Sequence, residues 1–240
     1  MSSSWAIETR ALRRSFGPFE ALRGVDLRVS AGSIFGLVGP NGAGKTTTFS
    51  ILCGFLHPTS GEARVLGCDP RDRAALVGRV GALPQDAPLP ARMRTLDFLR
   101  YLAELGGLSP SDARAEALRW LSLVGLEAQA HNRMSELSHG MAKRVALAQA
   151  FLGSPDLVLL DEPTSGLDPN QIREVRETIR RLGEKKTILL STHILQEVEA
   201  LADRVVLIAD GRLRFDGTPA ELRKEGRGLD ERFHELTRSA

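Results

Sequence analysis

Gly39-Pro40-Asn41-Gly42-Ala43-Gly44-Lys45-Thr46 fits the pattern G-x-x-x-x-G-K-[ST] at every fixed position, and no other stretch constrains the chain as much. The apolar run Ile34-Phe35-Gly36-Leu37-Val38 stands directly before it and reads as a buried strand. Thr46 to Leu52 follows with a helix-compatible sequence. Strand, loop and helix in that order are the context that gives the pattern its meaning. Glycines let backbone approach a ligand closely or take positive φ. Loop amides and the positive end of the following helix then favour phosphate. Lys45 adds a full charge for the β- and γ-phosphates, and Thr46 offers a hydroxyl to Mg²⁺. The alternative, a Gly-rich turn that binds nothing, is disfavoured by the correct flanks.

Composition narrows the classes further. Hydrophobic residues make up 42% and charged residues 26% of 240, enough for one large or two modest cores. A formal net charge of +2, with Lys and Arg scattered, gives no argument for nucleic acid or an acidic membrane surface. Cys53 and Cys68 are the two cysteines, too few for a disulfide framework, and a reducing compartment is expected. Met1-Ser2-Ser3-Ser4-Trp5 has no apolar signal core. No stretch reaches the ~18 apolar residues of a spanning helix. The expectation is a soluble chain that reaches a membrane only through another subunit.

The opening alternates as half-buried antiparallel strands over residues 6–12, 19–22 and 25–29, with turns at Gly17-Pro18 and Ala31-Gly32. Pro58-Thr59-Ser60-Gly61 signals a turn, and strands are expected over 62–66 and within 77–84. From Thr95 the period becomes helical: Leu96, Leu99, Leu102 and Leu105 are assigned to one face, and Ser111-Asp112 to the cap of a second helix. A third helix is expected from Ser138. Leu157-Val158-Leu159-Leu160 reads as a central parallel strand. Helix 172–182, strand 187–191, helix 195–202 and strand 204–208 continue a β-α-β-α-β rhythm, and a charged tail follows Pro219.

Asp161 and Glu162 close the apolar strand, at the edge where open α/β sheets bind ligands. An Asp there suits Mg²⁺, and a Glu beside it suits a water aimed at the γ-phosphate. Read with the P-loop, these residues carry a resemblance to the ATP-binding cassette (ABC) ATPases, the nucleotide-binding subunits of ABC transporters. The resemblance extends from Phe16 to about Leu222. It rests on the P-loop, Leu83-Pro84-Gln85, Leu137-Ser138-His139-Gly140-Met141, Asp161-Glu162, Ser165-Gly166-Leu167-Asp168 and Ser191-Thr192-His193, in that order.

The resemblance implies an α/β fold: a P-loop NTPase core with an N-terminal antiparallel β-subdomain and an inserted α-helical subdomain. The core is expected over 1–87 and 153–222, the helical signature subdomain over 88–152, and a short tail over 223–240. ATP and Mg²⁺ are the implied cofactors. Phe16 stacks on adenine and Ala21 adds a contact to the nucleotide. Asn41, Gly42, Ala43, Gly44, Lys45, Thr46 and Thr47 hold its phosphates. Thr46, Gln85 and Asp161 face the metal. Glu162 is the general base, His193 the switch histidine, and Gln85 and Lys45 act beside them in catalysis. Ser138 and Gly140 close over ATP held by the opposite subunit, and Asp168 couples the two sites. The usual Leu-Ser-Gly-Gly-Gln signature departs here at His139 and Met141; the serine and second glycine survive, so a working site is expected.

One P-loop and one signature imply a homodimer or a heterodimer of ATPase subunits. Integral-membrane permease subunits are the implied partners, docked through the groove between Gln85 and the helical insertion, with Leu89 and Tyr101 as contacts. Nucleic acid is not an implied partner. The location is cytoplasmic, peripheral on the cytoplasmic face of the cell membrane. Phe55-Leu56-His57-Pro58-Thr59-Ser60-Gly61 and the ending Leu229–Thr237 resemble bacterial ABC-2-type exporter ATPases, and the chain stops without the regulatory domain of sugar importers, so export is favoured. Two alternatives stand beside it. A soluble ABC ATPase remodelling ribosomes or nucleic acid would carry two cassettes or long inserted coiled coils. A small-molecule P-loop kinase would need neither the signature nor His193.

Overall fold

The computed structural model describes residues 5–183, 186–223 and 229–238. The chain divides into two compact units, residues 1–76 with 183–240, and residues 77–182. Each is built differently.

In the first unit, β1 (Trp5–Phe16) and β2 (Phe19–Ser30) form one long hairpin, closed at Phe16 opposite Phe19. β4 (Ser60–Val65) pairs antiparallel on the other edge of β1. The expected break near residue 24 is absent. Leu12 faces Val25 and Arg13 faces Arg23, so Gly24, at φ 89°, is absorbed as a bulge and β2 continues. The second sheet of this unit places β3 (Ile34–Val38) between β7 (Thr187–Thr192) and β8 (Arg204–Ala209), both parallel to it. Every residue of β3 and β7 is buried, as continuous apolar runs in a parallel sheet require. β9 (Arg212–Gly217) returns antiparallel to β8 through Asp210-Gly211, both at positive φ, and was not foreseen.

The helices of this unit are α1 (Lys45–Leu52), α2 (Arg73–Leu76), α7 (Leu195–Leu201), α8 (Pro219–Leu222) and α9 (Leu229–Arg238). The stretch read as a charged tail therefore ends in a helix. Phe233 and Leu236 of α9 pack against a cluster holding Val38, Val198, Leu207 and Leu222.

In the second unit, β5 (Val80–Leu83) pairs parallel to β6 (Leu157–Asp161). Four α-helices, α3 (Thr95–Leu105), α4 (Pro110–Leu123), α5 (His139–Phe151) and α6 (Pro169–Gly183), and two short 3-10 turns, Glu127–Gln129 and Met134–Glu136, complete it. The helical segment belongs by its contacts with these strands, because α5 packs on both β5 and β6. Trp120 of α4 meets Phe151 of α5 with ring centroids 5.6 Å apart. Two local expectations need correction. The cap of α4 is Ser109, whose Oγ accepts from the Asp112 amide, with Pro110 at the first helical position; Ser111 and Asp112 lie inside the helix. Leu105 is 65% exposed and does not share the buried face of Leu96 and Leu99.

Candidate active site

The first unit holds the P-loop. β3 ends at Val38, and the loop turns back into α1 with Gly44 as N-cap at φ 108° and no side chain capping the helix. The path is enforced by contact. A Cβ on Gly39 would lie 2.2 Å from the Ile208 carbonyl oxygen; one on Gly44 would lie 2.7 Å from Leu22 Cδ2 and 2.9 Å from the Ala21 oxygen. Ala43 is buried, whereas Asn41, Gly42 and Thr46 are exposed and Thr47 half-buried. Lys45 is buried and folds over its own loop, Nζ donating to the Gly39 carbonyl at 2.8 Å and the Pro40 carbonyl at 3.2 Å. An ammonium drawn onto carbonyls at the mouth of a helix N-terminus leaves a positive, amide-lined cradle suited to phosphate oxygens.

Register brings His193 to the same edge. Val38 stands opposite Thr192 in the parallel β3–β7 pair, so the P-loop and His193 leave from neighbouring strand ends. The Ile194 amide donates to Thr192 Oγ1 at 3.1 Å, a side-chain turn that presents exposed His193 at its apex. Ala21 is buried beside Gly44. Phe16 is 43% exposed at the hairpin end, and the Arg14 guanidinium lies 4.6 Å from its ring centroid. One ring face already carries a cation–π contact, so a base would stack on the other.

The second unit holds the carboxylates. Leu83 stands opposite Leu160, so Gln85 and the pair Asp161 and Glu162 also leave from neighbouring strand ends. Asp161 and Glu162 are 1% and 4% exposed. Glu162 takes φ 49°, an unusual conformation for a non-glycine residue and the kind of strain that clusters at functional sites. Lys143, in the second turn of α5, donates from Nζ to the Gln85 carbonyl at 3.3 Å. Burial pushes its ammonium below the usual lysine range, while the charges of Asp86, Asp161 and Glu162 oppose that shift.

The signature begins α5. Ser138 is its N-cap, with Oγ accepting from the Met141 amide at 3.3 Å, and its hydroxyl proton is still available to donate. A Cβ on Gly140 would meet Gln171 Cδ at 2.7 Å. The departure at His139 has a definite place: its Nε2 lies 3.0 Å from where a Gly166 Cβ would be, so the imidazole rests against the loop leading to Asp168. Asp168 itself caps α6, its Oδ1 accepting from the Asn170 and Gln171 amides at 2.9 and 3.0 Å. A groove of about 520 Å³ opens beside these elements, lined by Gln85, Ala87, Leu89, Met134, Lys143 and Ala146 among others. Leu89 is in its wall. Tyr101 is 50% exposed and outside that lining.

Within each unit the expected residues thus gather: Ala21, the P-loop and His193 in one, Gln85, Asp161 and Glu162 in the other. Missed were Lys143 as a partner of Gln85, Arg14 as a cover for Phe16, and the capping by Asp168. The donors at hand are hard oxygens: the Thr46 hydroxyl in one unit, the Asp161 carboxylate and Gln85 amide in the other. Among the described residues no three His, Cys, Asp or Glu side chains cluster as metal ligands.

The fold and these sites define a P-loop NTPase of the cassette type. The family model described as "ABC transporter" matches residues 22–165. Nod factor export ATP-binding protein I of Paraburkholderia xenovorans (strain LB400) is 40% identical over 232 residues, covering 94% of this chain and 75% of that protein. Fe(3+) ions import ATP-binding protein FbpC of Rhizobium etli is 39% identical over 213 residues, covering 88% of this chain and 60% of that one. A solved structure described as an ATP binding subunit of an ABC transporter superposes with a TM-score of 0.85 at 30% identity, covering 96% of this chain and 99% of the other. The chain belongs to the ABC transporter family: it is an ATP-binding, ATP-hydrolysing transporter subunit. Neither relative named here is a ribosome or nucleic-acid remodeller.

Proposed function

We propose that the chain hydrolyses Mg²⁺-ATP in a head-to-tail dimer and thereby drives export through permease subunits at the cytoplasmic face of a membrane. The observation that carries the reading is the pair of parallel registers, Val38 opposite Thr192 and Leu83 opposite Leu160. Each gathers at one strand edge the residue types that phosphoryl transfer needs. Phe16 and Ala21 contact the nucleoside. Asn41 to Thr47 bind the phosphates, with Lys45 exchanging its loop carbonyls for phosphate oxygens. Thr46, Asp161 and Gln85 hold Mg²⁺, which when bound supplies charge neutralisation on the phosphates. Glu162 takes the proton of the attacking water. His193 contacts the γ-phosphate. Ser138 and Gly140 donate to the nucleotide of the second copy, and Asp168 links the two sites.

The core (1–87, 153–222) and the helical signature subdomain (88–152) are read as the two functional parts. Export is supported by the exporter-named relative and by the likeness of residues 55–61 and 229–237 to ABC-2-type ATPases. The second of these segments falls partly on residues whose side chains are not described. Permease subunits are the coupling partners in this reading; among the described residues no helix is long and apolar enough to cross a membrane. The groove at Leu89 is where a permease segment docks. Leu89→Asp is expected to keep ATPase activity and lose capture of the purified permease; unchanged capture would move the docking surface.

The reading is tested with Glu162→Gln. In gel filtration with ATP and Mg²⁺ it is expected to elute as a dimer that has stopped hydrolysing. A monomer that turns over ATP at the parent rate would sink the assignment of Glu162.

A further inference from the structure

We propose that Lys143 is a positioning residue for Gln85, fixing from the signature helix the backbone that carries the glutamine side chain. The inference rests on the role for Gln85 given above and adds how that residue is held.

Pairing between β5 and β6 stops at Leu83 opposite Leu160, two residues short of Gln85. Gln85 is exposed. Among the described residues, the Lys143 ammonium is the one side chain that hydrogen-bonds residue 85, reaching its carbonyl at 3.3 Å across 58 residues of sequence. The donor comes from a rigid base. α5 spans thirteen residues, and Val145, Ala146, Leu147 and Ala148 are buried in the next turn. A side chain on a packed helix places its tip more reproducibly than one on a loop. Lys143 is only half-buried, yet its charge faces Asp86, Asp161 and Glu162, so the ammonium has reason to stay at that spot. Its stem also lines the groove with Ala87 and Leu89. The side chain that holds Gln85 is thus also part of the groove wall, on the helix whose N-cap is Ser138.

Position rather than charge alone is the claim, and a double-mutant cycle with Gln85 separates the two. Gln85→Ala keeps the carbonyl that Lys143 grips but removes the side chain it positions. Misplacing a reacting group by about 1 Å costs up to ~10²-fold in rate, so Lys143→Met is expected to lower kcat about tenfold with KM for ATP nearly unchanged. Lys143→Arg, which keeps a donor on a long stem, is expected to recover most of that loss. In the Gln85→Ala background Lys143→Met is expected to cost less than about twofold, because nothing is left to position. Thermal melting of each variant without nucleotide, together with Lys143→Gln as a second truncation, identifies any loss that comes from misfolding. Equal losses in both backgrounds, or full activity in Lys143→Met, would overturn the inference. Full activity in Gln85→Ala would remove the role of Gln85 and this inference with it, an outcome visible from that variant alone.

Discussion

Two glycines of the site, Gly44 in the P-loop and Gly140 in the signature, are held by different kinds of neighbour. Gly44 sits at φ 108° against the Ala21 carbonyl and Leu22 Cδ2, that is, against backbone and a fully buried side chain. Gly140 sits against the amide end of Gln171, a long and half-buried side chain. Backbone and core do not give way cheaply; the tip of a glutamine does. The phosphate loop is therefore held by the fold at Gly44, where geometry excludes a side chain. At Gly140 the signature meets a side chain that can move, so a small substitution there is accommodated more readily than at Gly44. The departure at 139 is accommodated elsewhere, with its imidazole resting against Gly166.

The contrast breaks if the two glycines respond alike. Gly44→Ala is expected to have the larger effect. Overpacking a tight site typically costs about 1–3 kcal/mol. Each charge-assisted hydrogen bond lost from the phosphates is worth roughly 1.5–3 kcal/mol, so ATP binding should weaken at least about tenfold, measured by titration calorimetry. Gly140→Ala is expected to be milder in melting temperature, since Gln171 can swing aside. Its cost should fall on turnover, because Gln171 Oε1 also accepts from the Asp168 amide at 3.4 Å. His139→Gly should have the smallest effect, with ATPase activity within about an order of magnitude of the parent, since Ser138 and the helix amides carry the contact. A loss in His139→Gly larger than in Gly140→Ala would reverse this ranking.

The same distinction explains what could be read from sequence. The P-loop was legible because its strand, glycines, lysine and helix are contiguous. The carboxylates were legible because they close an unbroken apolar strand. Asp168-Pro169-Asn170-Gln171 carried a readable helix-start signal, an acceptor at the cap and Gln three residues on, that was passed over. Asp210-Gly211 ahead of the alternating β9 was a second such signal. Leu105 was misplaced by a rule that drifts: a three-residue step turns about 300° on a 3.6-residue helix, so the fourth member of such a series lies about 180° from the first. The Lys143–Gln85 bond had no sequence signal, because 58 residues separate its ends.

The central claim is that the site is completed by a second copy, and complementation tests it most directly. Lys45→Ala disables the P-loop of its own chain; Ser138→Arg blocks the signature that chain offers to its partner. Each variant alone should be nearly inactive. In a two-fold dimer a patch i meets a patch j and j meets i, so a mixed pair has both lesions in one site and leaves the other intact; random mixing should restore roughly a quarter of the parent ATPase activity. A mixture no more active than its components would contradict the account, and so would full activity in Ser138→Arg alone.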